Sequence, residues 1–199
     1  MFFPLVHAFA VLATLIIPAA VAPPPPACDC TGTNFTDPQF LCGDARLGPD
    51  VLPTTGPLAP LLTHYNRLGG LCPGAFLAKW TFPNGSYEFP PFDGFQLSIS
   101  DMPIEGNQLL LPGMLLDRFG STHGMFLAPA DTPFSQRSLP PSSLGPPAAY
   151  HVYEVQQNLV ALSGEIAGWF SQQGQGTQYF VNLTIQALLD AGTLVEIEQ

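Results

Sequence analysis

Basic side chains are scarce in this sequence. The 199-residue chain carries 5 Lys and Arg against 15 Asp and Glu, a formal net charge of −10. Only 10% of its residues are charged, against about 25% in an ordinary soluble domain. So few cations exclude a nucleic-acid partner, because the phosphate backbone is bound by clustered Lys and Arg. They also exclude a basic helix lying on a membrane surface. A hydrophobic fraction of 46% is too high for a disordered chain. No Gly-x-Ser-x-Gly elbow, Cys-x-x-Cys or His pair at ligand spacing occurs, so the sequence offers neither a hydrolase nucleophile elbow nor a zinc site. His64, His123 and His151 stand far apart, and no metal is assigned.

What is present points outward from the cell. Residues 1–22 are apolar and end in Ala20-Val21-Ala22, the pattern of a secretory signal. A membrane anchor is the alternative, and it would have to tolerate Pro4, His7 and Pro18. No later stretch is long enough to span, so no membrane contact is expected once the signal is removed. Pro23 to Pro26 form a stiff spacer. Cys28, Cys30, Cys42 and Cys72 follow, and an even count in an exported chain predicts two disulfides. Cys28 and Cys30 are too close to pair with each other, so each reaches Cys42 or Cys72. Sequons at Asn34, Asn84 and Asn182 predict glycosylation.

The layout predicts an α+β protein: a signal at 1–22, a disulfide-held, loop-rich Cys/Pro segment at 23–75, and a small strand-dominated domain at 76–199. Strands are expected at 76–82, 95–99, 114–116, 124–129, 150–155, 177–182 and 193–198, each rich in aromatic or branched residues or bounded by turn signals. One short helix is expected after Thr184, whose hydroxyl can cap it; Ile185, Leu188 and Leu189 share a face and Gly192 ends it.

Two of the five cations, Arg118 and Arg137, fall in one Gly- and Pro-punctuated stretch, and no Lys or Arg follows. Displayed from loops, they would form an anion clamp, since a guanidinium fork matches phosphate oxygens in pairs. The competing reading is an internal salt bridge to Asp117 or Asp131. A second stretch, 168–180, places Trp169 and Phe170 where they could stack on a ligand ring or join the core. Gly174 and Gly176 then precede Thr177 and Gln178, whose amide could read a ligand or cap a backbone group. No helix follows at once, so this is not a phosphate-binding loop.

Leu-Asp-Arg-Phe-Gly at 116–120, Gln-Arg-Ser-Leu-Pro at 136–140 and Gly-Thr-Gln-Tyr at 176–179 occur together and in order. Over about Phe82 to Glu198 the chain resembles the tuberculosis necrotizing toxin domain family. The signal and Cys-rich segment resemble its fungal branch, the secreted conidial-surface NAD glycohydrolases, in which homodimers occur. The resemblance implies hydrolysis of the bond between nicotinamide and ribose, with NAD+ as substrate, NADP+ as a second candidate and no cofactor. It implies catalytic roles for Arg118, Arg137 and Gln178, and substrate contacts from Phe126, Trp169, Phe170 and Thr177. Bacterial relatives carry Tyr at the Phe126 position, and a family His falls near Tyr150-His151. Some fungal members bind calcium through acidic residues near the C-terminus; calcium is not assigned to Glu196 and Glu198 here. Glu165 is an outside candidate for stabilising positive charge on the sugar. The family's Pro before Trp169 is Gly168, and loop 171–175 also departs from the family pattern. Those departures motivate a second reading, a surface or wall protein that keeps the fold and has lost activity. Transfer of ADP-ribose to a protein is a third.

Overall fold

The computed structural model describes residues 28–145 and 150–198. The expected signal at 1–22 and the proline spacer at 23–26 lie outside the described residues. Two disulfides tie the N-terminal part, Cys28–Cys72 and Cys30–Cys42, as the even cysteine count predicted. They close loops of 44 and 12 residues. In the chain-entropy account each contributes about 3–4 kcal/mol by restricting the unfolded chain. Between them run 3-10 turns and a one-turn helix α1 (Leu58–Leu61), as a loop-rich segment should.

The first expected strand, 76–82, is instead part of helix α2 (Pro73–Trp80). Proline stands in its first turn, where no N–H is needed. Phe76 and Trp80 are four residues apart, so they share a helix face, and with Leu77 they pack on Leu47 and Phe170. That helical spacing outweighs the weak alternation of the same residues. The expected boundary at residue 75 therefore falls inside α2. The 95–99 strand reduces to isolated bridges, Phe95 to Ile166 and Leu97 to Pro103.

The remaining chain builds one antiparallel sheet of seven strands: β1 (Glu105–Leu110), β2 (Leu115–Phe119), β3 (Phe126–Pro129), β4 (Tyr150–Val155), β5 (Leu159–Glu165), β6 (Thr177–Phe180) and β7 (Leu194–Ile197). Their order is β1-β5-β6-β3-β2-β4-β7. Helix α3 (Ile185–Asp190) lies before β7, with Thr184 Oγ1 accepting from Ala187 N at its start. It packs Ile185 and Leu188 against Leu116, Leu127, Tyr153, Tyr179 and Leu194. Each such fully buried Leu or Ile contributes about 1.5–3 kcal/mol. The domain is strand-dominated α+β, as the sequence predicted.

One feature of the sheet positions the site. β2 and β3 pair only at Leu116–Pro129 and Asp117–Ala128. Beyond those pairs the strands diverge, and a cleft opens between Arg118-Phe119 on one side and Phe126-Leu127 on the other.

Candidate active site

Arg118 leaves the end of β2, Arg137 follows a 3-10 turn (Phe134–Gln136), Phe126 begins β3 and Gln178 lies in β6; all four line one cleft of about 330 Å³. Phe119, Leu139 and Ile166 form its apolar floor, and Phe89, Pro90, Asp93 and Gly94 supply another wall.

Arg118 crosses the gap between the parted strands. Its Nη1 donates to Phe126 O at 2.8 Å and its Nε to Ser121 O at 2.8 Å. A side chain thus replaces the ladder that β2 and β3 no longer make. Glycine at 124 leaves the guanidinium room in this position, because a Cβ there would sit 1.8 Å from Nη2 of Arg118 and displace it. Gly120 has φ +109, a conformation that L side chains rarely adopt. No carboxylate pairs with Arg118 among the described residues. Burial holds its guanidinium below the usual range, yet an arginine stays protonated in proteins.

Arg137 takes the other of the two readings. It is 6% exposed and meets Asp117, which is fully buried. Nη2 donates to Oδ2 at 2.6 Å, and Nη1 lies 2.6 Å from Oδ1. Nε and Nη2 also donate to Thr132 O at 2.9 and 2.8 Å. The guanidinium lies 5.2 Å from the Phe119 ring centre, a cation–π contact. A bound anion can therefore receive only what remains on Nη1. The two cations therefore differ: Arg118 has no carboxylate partner among the described residues, and Arg137 is compensated by Asp117. Ser138 fixes the turn from the far side, its hydroxyl donating to Ala167 O at 2.6 Å and accepting from Trp169 N at 3.1 Å.

Gln178 donates from Nε2 to Asp93 O at 2.8 Å. Its Nε2 anchored there, Gln178 can turn its Oε1 to a ligand as an acceptor. The carbonyl it uses lies in a left-handed run, Phe92 at φ +52, Asp93 at +56 and Gly94 at +82. The sequence shows Asp93-Gly94 only as a turn signal; its role as the partner of Gln178 is set by folding alone.

The other candidates sit elsewhere. Phe170 is fully buried and Trp169 packs beside it, each within 6 Å of Trp80. Trp169 Nε1 donates to Glu88 O at 2.7 Å. Both aromatics belong to the core that joins the Cys-rich segment to the sheet, so the expected ring stacking on a ligand is corrected. Thr177 pairs with Glu165 across the β5–β6 ladder and does not line the cleft. Glu165 is exposed, borders a separate depression and does not line the cleft. His151 shares a register position with Arg118, but its Nδ1 meets Glu196 Oε1 at 2.6 Å in another depression. Asn34, Asn84 and Asn182 are all exposed.

A small antiparallel-sheet α+β domain with one uncompensated arginine in its cleft is the class that fold and site define. Comparison with known proteins makes it specific. The profile described as tuberculosis necrotizing toxin matches residues 109–197. The conidial surface nicotinamide adenine dinucleotide glycohydrolase nadA of Aspergillus fumigatus is 45% identical over 192 residues, covering 92% of this chain and 80% of that protein. The solved tuberculosis necrotizing toxin, complexed with its immunity factor, superposes with a TM-score of 0.52 at 20% identity, over 81% of this chain and 96% of that one. The chain belongs to the tuberculosis necrotizing toxin family. Coverage of 92% carries the similarity to the Aspergillus protein into the Cys-rich segment as well.

Proposed function

We propose that the chain is a secreted or cell-surface NAD+ glycohydrolase. The observation that carries this reading is 45% identity, across 92% of the chain, to a relative named as a conidial surface NAD glycohydrolase. The grouping of Arg118, Arg137, Phe126 and Gln178 in one cleft supports it.

The reaction consumes water and NAD+ and yields nicotinamide, ADP-ribose and a proton. The bond from the ribose anomeric carbon to the pyridinium nitrogen breaks, and its electron pair stays on nitrogen, leaving nicotinamide neutral. The sugar passes through an oxocarbenium-like state, and water closes on the anomeric carbon. A cationic leaving group needs no protonating acid, so a pair of carboxylates like that of ordinary glycosidases is not required. Positioning then contributes most of the rate. Arg118, the uncompensated cation, binds the diphosphate. Arg137 adds one directed N–H at the cleft floor. Gln178 Oε1 accepts from a ribose hydroxyl or from the attacking water. Phe126 packs against a ring of the substrate. NADP+ is a second substrate candidate, and no cofactor is part of the reading.

In this proposal residues 1–22 are removed on export, 23–75 act as a scaffold with α2 reaching across the boundary, and 76–199 carry the chemistry. Exposure of all three sequons fits passage through the secretory route. A homodimer belongs to the reading through the fungal branch, and light scattering on the purified chain tests it. None of residues 168–176 lines the cleft, so the departures in that loop leave the proposed contacts intact.

The test is release of nicotinamide from NAD+ by the purified secreted chain, followed by chromatography and with a fluorescent etheno-NAD+ substrate. Equimolar nicotinamide and ADP-ribose are expected. Absence of both under conditions where the chain is folded overturns the reading. ADP-ribose found attached to protein would replace hydrolysis with transfer.

A further inference from the structure

Arg137 meets the cleft with one side only, and Asp117 and Thr132 hold its other sides. Asp117 Oδ2 accepts from three donors: Arg137 Nη2 at 2.6 Å, the Tyr150 hydroxyl at 2.8 Å and the Asp131 backbone N–H at 3.1 Å. The Tyr150 ring lies 4.8 Å from that of Phe119, over which the Arg137 guanidinium sits. Asp117 and the Thr132 carbonyl therefore hold the guanidinium, the Phe119 ring lies against it, and the Tyr150 phenol braces the carboxylate rather than the guanidinium. A buried arginine has other ways to be satisfied, so this arrangement is more than neutralisation: it fixes the direction of the remaining N–H.

We propose that Asp117 and Tyr150 are positioning residues for the reaction, acting through Arg137. The inference rests on the glycohydrolase reading above. Asp117 sets the angle of the Arg137 fork and cancels its charge, so that the diphosphate is drawn to Arg118 alone and the substrate enters in one orientation. Tyr150 keeps Asp117 ionised and in place. It does so from β4, at the end where β4 pairs with Phe119.

The charged and titratable groups facing the Asp117 carboxylate are Arg137 from the turn after β3 and Tyr150 from β4; from the loop after β3, Asp131 gives its backbone N–H to Asp117, and its carboxylate acts on the Tyr150 phenol. Burial pushes the Asp117 carboxyl above the ordinary carboxylate range, and Arg137 and Tyr150 oppose that rise. Removing the Tyr150 hydroxyl therefore moves protonation of Asp117 to higher pH.

The experiment compares wild type, Tyr150→Phe and Asp117→Asn in steady-state NAD+ hydrolysis across pH, with melting temperatures measured alongside. Tyr150→Phe keeps the ring that packs on Phe119. Its kcat is expected to fall about tenfold, the loss of one hydrogen bond to a charged group, with KM nearly unchanged. The acid limb of its kcat/KM profile should move to higher pH. Asp117→Asn uncovers the Arg137 charge, so KM should fall while kcat drops by about a hundredfold or more. If Asp117→Asn does not fold, Tyr150→Phe still decides. Wild-type kcat, KM and pH profile in a folded Tyr150→Phe protein overturn the inference while leaving the glycohydrolase reading intact. An inactive wild type fails that reading instead.

Discussion

Arg118 is a burden on the fold. Its guanidinium is half-buried, bonded only to two carbonyls and without a carboxylate partner among the described residues. Burying a charge unpaired costs free energy, and folds retain such groups where function needs them. Arg118→Ala is therefore expected to lower turnover by at least about a hundredfold while the melting temperature stays nearly unchanged, the relieved burial of charge offsetting the two lost hydrogen bonds. A large fall in melting temperature would make Arg118 a structural residue instead. The two arginines were legible in the sequence; their division of labour was not. Asp117 adjoins Arg118 in the chain, yet neighbours in a strand point to opposite faces, so the carboxylate reaches Arg137 twenty residues away. The role of Gln178 was hidden for a similar reason, because its anchor is a main-chain carbonyl that no side-chain pattern reveals.

Elements were readable where their pattern was local. β4 spans the expected 150–155, and α3 and β7 begin within a residue of their expected starts. Capping predicts its own test. Thr184→Ala should destabilise the protein by about 1 kcal/mol, read as a shift in the denaturant midpoint with no change in KM. The substitution also ends the 182–184 sequon, so the comparison needs a host that does not glycosylate. An unchanged midpoint would mean that α3 is held by packing alone. Other elements left little signal. β1 reads Glu-Gly-Asn-Gln-Leu-Leu and is exposed at all but its last residue, so no buried face shows as alternation. It is held by six register pairs with β5, a partner about fifty residues away. α2 leaves an ambiguous signal because Phe76 and Trp80, its two aromatics, also suit a strand, and only the packing surface at Leu47 and Phe170 decides between them.

At the scale of the whole molecule, the Cys-rich segment is a brace for the sheet. Trp80 Nε1 donates to Ser171 Oγ at 3.3 Å, and Gln172 Nε2 to Asn66 O at 3.1 Å. Gly69 packs so closely on Ser171 that a Cβ would meet the Ser171 Cβ at 2.2 Å. The loop thus clasped runs directly into β6 and Gln178. Reducing both disulfides removes about 3–4 kcal/mol each and frees the brace. Reductant should therefore lower the melting temperature, and it should slow turnover at temperatures where the sheet is still folded. Loss of stability with turnover per folded molecule unchanged would show that the brace supports the fold only.

The seam between β2 and β3 has a kinetic corollary. Beyond its two register pairs the split already stands open, spanned by the Arg118 guanidinium. Admission of the dinucleotide needs no prior rearrangement, so its capture rate should rise in proportion to concentration, with neither a plateau nor a lag in rapid-mixing traces.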